Sequence, residues 1–244
     1  MTGVLQLGPF LIRTDWLYYG LSILLGLAIA RKLILKKSPE DLRHLESFTG
    51  ALLIGILLWK VSPIFTEPQI LKKPLTLLLY PGTSLGITLA YIGAALYLIY
   101  TVWKKKYNWR ASLDVFTIVV ICSVLIYTLT HWQYGLQTTL PWGISISDPE
   151  YRYHPINAYQ LMLIAPLIWY LFRLPIGQGK IASNWSLGFG VIILCLSLLK
   201  PKMSSWLNLS TDQWLAIVLI AIGFLVTHIN AFKSHVNKRS CVRK

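Results

Sequence analysis

Long apolar segments alternate with short polar segments along almost the whole chain of 244 residues. A bilayer core of about 30 Å is crossed by about 20 helical residues, and lipid offers no partner to an open backbone hydrogen bond. The pattern therefore predicts an all-α integral membrane protein with seven transmembrane helices. The predicted spans are Trp16 to Leu35, Phe48 to Phe65, Ser84 to Trp103, Leu113 to Thr130, Ala158 to Leu174, Ser183 to Leu199 and Gln213 to Phe232.

The composition agrees with this class. Hydrophobic residues make up 55% of the chain and charged residues 13%, whereas an average soluble domain has about 25% charged residues. The longest predicted loop, His131 to Asn157, is too short to form a separate soluble domain. Residues 1–244 are therefore predicted to form a single membrane domain.

The formal net charge of +14 is unevenly distributed. In a soluble protein it would suggest nucleic-acid binding, but here the basic residues concentrate in the loops on one side of the predicted helices. The positive-inside rule assigns that side to the cytoplasm, so the N-terminus is predicted outside, the C-terminus inside, and no nucleic-acid partner is expected. The basic loop residues are Arg31, Lys32, Lys36, Lys37, Arg43, Lys104, Lys105, Lys106, Arg110, Arg173 and Lys180, with five more in the C-terminal tail.

Two loops on the predicted outer side are unusual. The first contains Leu75 to Tyr80, an apolar stretch too short to cross and followed by Pro81-Gly82, which predicts a segment on or in the outer leaflet. The second, His131 to Asn157, combines aromatic and ionisable residues, as functional loops often do. We therefore expect an outward-facing site. The five histidines are widely separated, so no metal site is predicted.

Three short patches of sequence resemble one known family. The first runs from Leu7-Gly8-Pro9-Phe10-Leu11-Ile12-Arg13 to Tyr19-Gly20-Leu21. The second is Leu140-Pro141-Trp142-Gly143, and the third is His154-Pro155 followed by Tyr159. Together with seven predicted spans and an outside N-terminus, these patches resemble the bacterial prolipoprotein diacylglyceryl transferases.

That family moves a diacylglyceryl group from phosphatidylglycerol to a cysteine thiol of an exported lipoprotein precursor. The resemblance implies a multi-pass protein of the bacterial cytoplasmic membrane, with phosphatidylglycerol and lipoprotein precursors as partners and no cofactor. His154 is the candidate catalytic base, since histidine commonly takes up a proton near neutral pH, and His131 is a candidate to share this role. The candidate headgroup-binding residues are Arg13, Tyr19, Gly82, Trp142, Gly143, Arg152 and Tyr159.

Other family positions differ in this chain. The family's histidine before the third span aligns with Pro81, and its arginine at the end of the fourth span aligns with Val124 when the register is set on Gly135. Near the sixth span, where the family carries an arginine and a glutamate, Gly188-Phe189-Gly190 continues into apolar residues. Departure of a glycerol phosphate calls for a fixed cation, and loss of one such group costs about 10²- to 10³-fold in rate.

Two hypotheses follow. The chain is either a divergent diacylglyceryl transferase, or a catalytically degenerate relative that binds lipid or lipoprotein without turnover. In the second case Arg13 and Arg152 only contact lipid headgroups, and His154-Pro155 only shapes the start of the fifth span. A transporter or channel is the least favoured hypothesis, because no span carries a polar pathway.

Overall fold

The computed structural model describes residues 4–7, 10–69, 82–146, 148–201 and 206–241. Four short strands are present there: β1 (Val4–Leu7), β2 (Phe10–Arg13), β3 (Tyr134–Gln137) and β4 (Tyr153–Pro155). The helices are α1 (Thr14–Lys37), α2 (Leu42–Val61), α3 (Pro63–Thr66), α4 (Ser84–Lys104), α5 (Trp109–Thr130), α6 (Ile156–Leu171), α7 (Lys180–Ser197) and α8 (Thr211–Cys241).

Six helical segments among the described residues are long and apolar enough to cross a membrane. They support the prediction of a helical, multi-pass membrane protein. They overlap six of the seven predicted spans, although four of them begin two to nine residues before the predicted first residue. The six segments are Leu17–Lys37, Pro39–Thr66, Ser84–Lys104, Trp109–Thr130, Lys180–Ser197 and Thr211–Asn230.

The predicted fifth span, Ala158 to Leu174, corresponds to the shorter helix α6. It has 16 residues with Pro166 inside, so it is about 24 Å long at 1.5 Å per residue. The α-helical bonding stops after Phe172, because the amides of Arg173 and Leu174 bond to carbonyls only three residues back, as in a closing helix turn. Pro175 then follows, and the residue before a proline avoids the helical region.

The fold agrees with the prediction of an all-α membrane protein, and two short antiparallel hairpins accompany the helices. Strands β1 and β2 pair directly before α1, and strands β3 and β4 pair directly before α6. Each strand has only three or four residues. Such strands are too short to show the alternating pattern by which a strand is recognised in a sequence.

Helix packing brings the ends of α1, α5 and α6 together. The main helix contacts join α1 to α5, α2 to α4 and α7 to α8. Helices α1 and α5 approach closely at Gly26, where an added Cβ would lie 2.2 Å from the Ser123 hydroxyl oxygen, as small residues allow in membrane helices. At one end of the bundle the ring of Tyr19 stacks on the ring of Tyr127. We call this the His154 end, because His154 lies just before the start of α6. We call the opposite end, where α1 finishes, the Lys37 end.

A buried carboxylate organises the Lys37 end. Asp114, in the second turn of α5, has no exposed surface. Its oxygens accept hydrogen bonds from the backbone amides of Gly177, Gly179 and Ala182, at 2.9, 2.8 and 3.0 Å. One side chain therefore caps the first turn of α7 and fixes the loop that follows α6.

Candidate functional site

The β3–β4 hairpin positions the candidate residues at the start of α6. The amide of Leu136 donates to the carbonyl of Leu199, just beyond α7, at 2.7 Å. Gly135 lies so close to its neighbours that an added Cβ would be 2.4 Å from that carbonyl oxygen and 3.1 Å from the Cβ of His154. The hairpin thus packs against the C-terminal end of α7. His154 lies against Gly135 at the same place.

Trp142, His154 and Tyr159 form a hydrogen-bonded cluster, which we call the His154 cluster. The indole Nε1 of Trp142 donates to the hydroxyl oxygen of Tyr159 at 2.9 Å. The same oxygen lies 3.2 Å from Nδ1 of His154, and the two rings are 5.8 Å apart. In the tautomer with a proton on Nδ1, Tyr159 accepts from both neighbours and Nε2 of His154 has a free lone pair for a proton.

Arg152 and Gly143 shape the turn that carries Trp142. The guanidinium Nη1 of Arg152 donates to the carbonyl of Pro141 at 3.1 Å. An added Cβ on Gly143 would lie 2.7 Å from the Cβ of Arg152, so only glycine fits there without displacement. Among the described contacts, neither a hydrogen bond nor an ion pair joins Arg152 to His154. Arg152 therefore supports the cluster through the turn.

A second aromatic group lies at the same end of the helices. The rings of Tyr19 and Tyr127 stack at 4.7 Å, with their hydroxyl oxygens 3.2 Å apart. The imidazole of His131 stacks on Tyr127 at 5.0 Å, and Tyr18 lies 5.4 Å from His131. Tyr19 and His131 are thus brought together by Tyr127, which the sequence analysis did not select.

Asn157 joins the two groups and was missed by the sequence analysis. Its side chain is buried, donates to the carbonyl of His131 at 2.7 Å and accepts from the amide of Gln133 at 2.6 Å. It lies in the first turn of α6, two residues before Tyr159. An asparagine at the start of an apolar segment is a signal that could have been noticed, since a buried amide needs partners.

Two other predicted residues are absent from the described contacts of these groups. Arg13 is the last residue of β2, paired with Val4, and its side chain lies outside the described part of the structure. Gly82 lies against α2, where an added Cβ would be 2.3 Å from the indole nitrogen of Trp59. Pro81 and the apolar segment before it also lie outside the described residues.

The distribution of cations bears on phosphate chemistry. Val124, which the sequence analysis aligned with the family arginine, packs against the hydrophobic core. Lys200, which the sequence analysis did not select, lies next to Leu199 and pairs with Asp212 at 2.7 Å. Both side chains of this pair are partly exposed. A cation is therefore present beside the hairpin, although it already has a carboxylate partner.

These features define a class: a multi-pass membrane protein with a polar and aromatic site at one end of its helices. The family described as prolipoprotein diacylglyceryl transferase matches residues 2–229, and the chain belongs to this family. Three bacterial phosphatidylglycerol–prolipoprotein diacylglyceryl transferases are similar to it. The protein of Rickettsia typhi is 26% identical over 81% of this chain and 80% of its own length. The protein of Clostridium tetani is 28% identical over 88% and 93%, and that of Rickettsia canadensis 25% over 90% and 93%.

Proposed function

We propose that this protein transfers a diacylglyceryl group from phosphatidylglycerol to the lipobox cysteine thiol of exported prolipoproteins. The His154 cluster is the observation that carries the proposal, because a hydrogen-bonded histidine at the end of membrane helices suits proton removal from a substrate at the membrane surface. The same proposal includes seven membrane crossings, of which α6 is the shortest. It also includes a cytoplasmic C-terminus and a site that faces outward from the bacterial cytoplasmic membrane.

His154 acts as the base in this reaction. A free thiol has a pKa of about 8.5 and reacts as the thiolate, so removal of its proton by Nε2 of His154 generates the nucleophile. The sulfur forms a bond to the glyceryl carbon, while the bond from that carbon to the phosphate oxygen breaks. Glycerol phosphate leaves with the bonding electrons, and the proton stays on His154.

Tyr159 holds His154 in the productive orientation. Its hydroxyl oxygen is shared by Nδ1 of His154 and the indole of Trp142. The proposal requires the tautomer with a proton on Nδ1, in which the oxygen of Tyr159 accepts from Nδ1 and Nε2 is free to accept a proton. Arg152 supports the same arrangement through its bond to Pro141.

The charge on the leaving phosphate requires a cation. The candidates at the His154 end of the helices are Arg13, Arg152 and Lys200. Lys200 would have to exchange Asp212 for the phosphate, and Arg152 would use the part of its guanidinium not bound to Pro141. A guanidinium suits this role best, because it presents several donors in one plane.

A second candidate function is lipid or lipoprotein binding without turnover. The apolar packing of Val124 favours it, since this position, which the sequence analysis aligned with the family's arginine, lies against apolar side chains of the described core. A lipid-binding surface could persist without this cation, but departure of the phosphate would be slowed by about 10²- to 10³-fold.

A transfer assay separates the two functions. The purified protein is supplied with phosphatidylglycerol carrying a labelled diacylglyceryl group and with a lipobox peptide, and the label on the peptide cysteine is measured. We expect labelling, and we expect the gene to support growth of a bacterium depleted of its own transferase. A lipid-bound protein that neither labels the peptide nor supports growth would establish the non-catalytic function.

Replacement of Tyr159 by phenylalanine is expected to lower kcat/KM for transfer about fivefold, because the lost hydrogen bond is worth about 1 kcal/mol. The measurement is the initial rate of peptide labelling over a range of peptide concentrations. Tyr134→Phe on β3 is the matched control and should leave the rate unchanged. Equal rates for Tyr159→Phe and the unaltered protein would remove Tyr159 from the site.

A further inference from the structure

The Lys37 end of α6 combines a short helix with exposed cations. Helix α6 has 16 residues, so it falls about 6 Å short of a bilayer core of about 30 Å. A helix that is too short draws its flanking residues toward the hydrocarbon or thins the bilayer around it. In the proposed crossing by α6, residues just after Leu171 would therefore lie closer to the lipid core than the ends of the longer helices.

Two cations at this end of the helix are held by aromatic rings. The guanidinium of Arg173 lies 3.6 Å from the ring centre of Trp169. The ammonium of Lys37, at the end of α1, donates to the carbonyl of Phe172 and lies 5.7 Å from the ring of that residue. Trp169 is 62% exposed, so Arg173 is held on a surface that faces out of the protein. Stacking on a ring leaves the edge of a guanidinium available for hydrogen bonds.

The acids that neighbour this site have other partners: Glu40 and Asp41 accept from the hydroxyl of Ser38, and Asp114 accepts from backbone amides after α6. Neither 156–180, which contains Arg173 and Lys180, nor 31–37, which contains Arg31, Lys32, Lys36 and Lys37, includes an aspartate or glutamate. The C-terminal end of α6, with the carbonyl of Phe172, explains the position of Lys37, since helix C-termini attract positive charge. It does not explain why Arg173 is stacked on the exposed indole of Trp169.

We propose that Arg173, Lys37 and Trp169 form a binding site for the phosphodiester of an anionic phospholipid, in the leaflet opposite the His154 cluster. Arg173 donates to the phosphate oxygens, Lys37 adds charge, and Trp169 lies alongside the glycerol and the upper acyl chain. The short helix leaves space between its last residue and the usual level of the headgroups. The headgroup of the bound lipid occupies this space. The inference rests on the proposed crossing by α6 but not on transfer activity.

Native mass spectrometry of the full, delipidated protein tests this site. The protein is titrated with dioleoylphosphatidylserine, which is not the proposed donor lipid, and with dioleoylphosphatidylcholine. We expect preferential retention of phosphatidylserine. Arg173→Gln together with Lys37→Gln should weaken that retention by about tenfold or more, as expected for loss of charge-assisted bonds. Arg173→Lys keeps the charge but not the stacked plane, and should have a smaller effect.

Three results would overturn the proposal. Unchanged lipid retention in the double variant would show that the two cations do not bind phospholipid. An equal loss in Lys180→Gln, an exposed cation at the same end, would show a general effect of surface charge. Displacement of the lipid by excess inorganic phosphate would identify a site for soluble anions. Peptide labelling by the Arg173→Gln, Lys37→Gln variant is measured separately and should match that of the unaltered protein, so failure of this site and failure of the proposed transfer are distinguishable.

Discussion

His154→Ala is expected to lower the rate of diacylglyceryl transfer by about 10²- to 10⁴-fold, the usual contribution of a positioned general base. The imidazole is the group in the His154 cluster with a nitrogen lone pair for the thiol proton, and its orientation depends on the shared hydroxyl of Tyr159. The measurement is the labelling rate of a lipobox peptide, followed as a function of pH. Because a thiolate formed at high pH needs no base, the deficit should shrink as the pH approaches the thiol pKa of about 8.5.

Two controls make this result specific. His228→Ala removes a histidine from α8 and should leave labelling unchanged. His131→Ala disturbs the stack on Tyr127 and tests whether this second histidine shares the role of base. Transfer by His154→Ala at the rate of the unaltered protein would rule out His154 as the base. In that case a larger loss of labelling rate in His131→Ala would identify His131 as the base.

Asp114→Ala is expected to lower the free energy of unfolding by more than about 3 kcal/mol. The change leaves three backbone amides, of Gly177, Gly179 and Ala182, without their acceptor, and a buried unpaired donor costs about 1–3 kcal/mol. The measurement is the midpoint of thermal unfolding in one detergent at a fixed protein concentration. Because the loop after α6 is released, proteolysis between Arg173 and Lys180 should become faster.

Asp212→Asn is the matched control for Asp114. Its partly exposed pair with Lys200 should contribute no more than about 1 kcal/mol, as surface ion pairs do. Asp114→Asn keeps the size of the side chain but turns an amide group toward one of the backbone donors, so an intermediate loss is expected. A midpoint for Asp114→Ala within the range of the Asp212→Asn variant would contradict the assigned role of Asp114.

The candidate site could be predicted in part. The sequence analysis selected Trp142, His154 and Tyr159 as separate candidates, and the structure joins them by hydrogen bonds through a single hydroxyl. Their convergence could not be predicted, because it depends on how a hairpin of very short strands packs on the end of α7. Asn157 and Asp114 were missed for a related reason: each acts through backbone groups that are far away in the sequence.

The pattern of apolar segments by itself determined that the chain is a helical membrane protein. Hydrocarbon leaves a crossing segment no other way to satisfy its backbone, so length and apolar character suffice to identify the long helices. Only the tertiary structure decided that α6 stops at 16 residues, that hairpins precede α1 and α6, and which side chains meet at each end. The side-chain contacts join segments that are distant in the sequence, and no local pattern encodes them; the strands and the last turn of α6 are too short to show a pattern of their own.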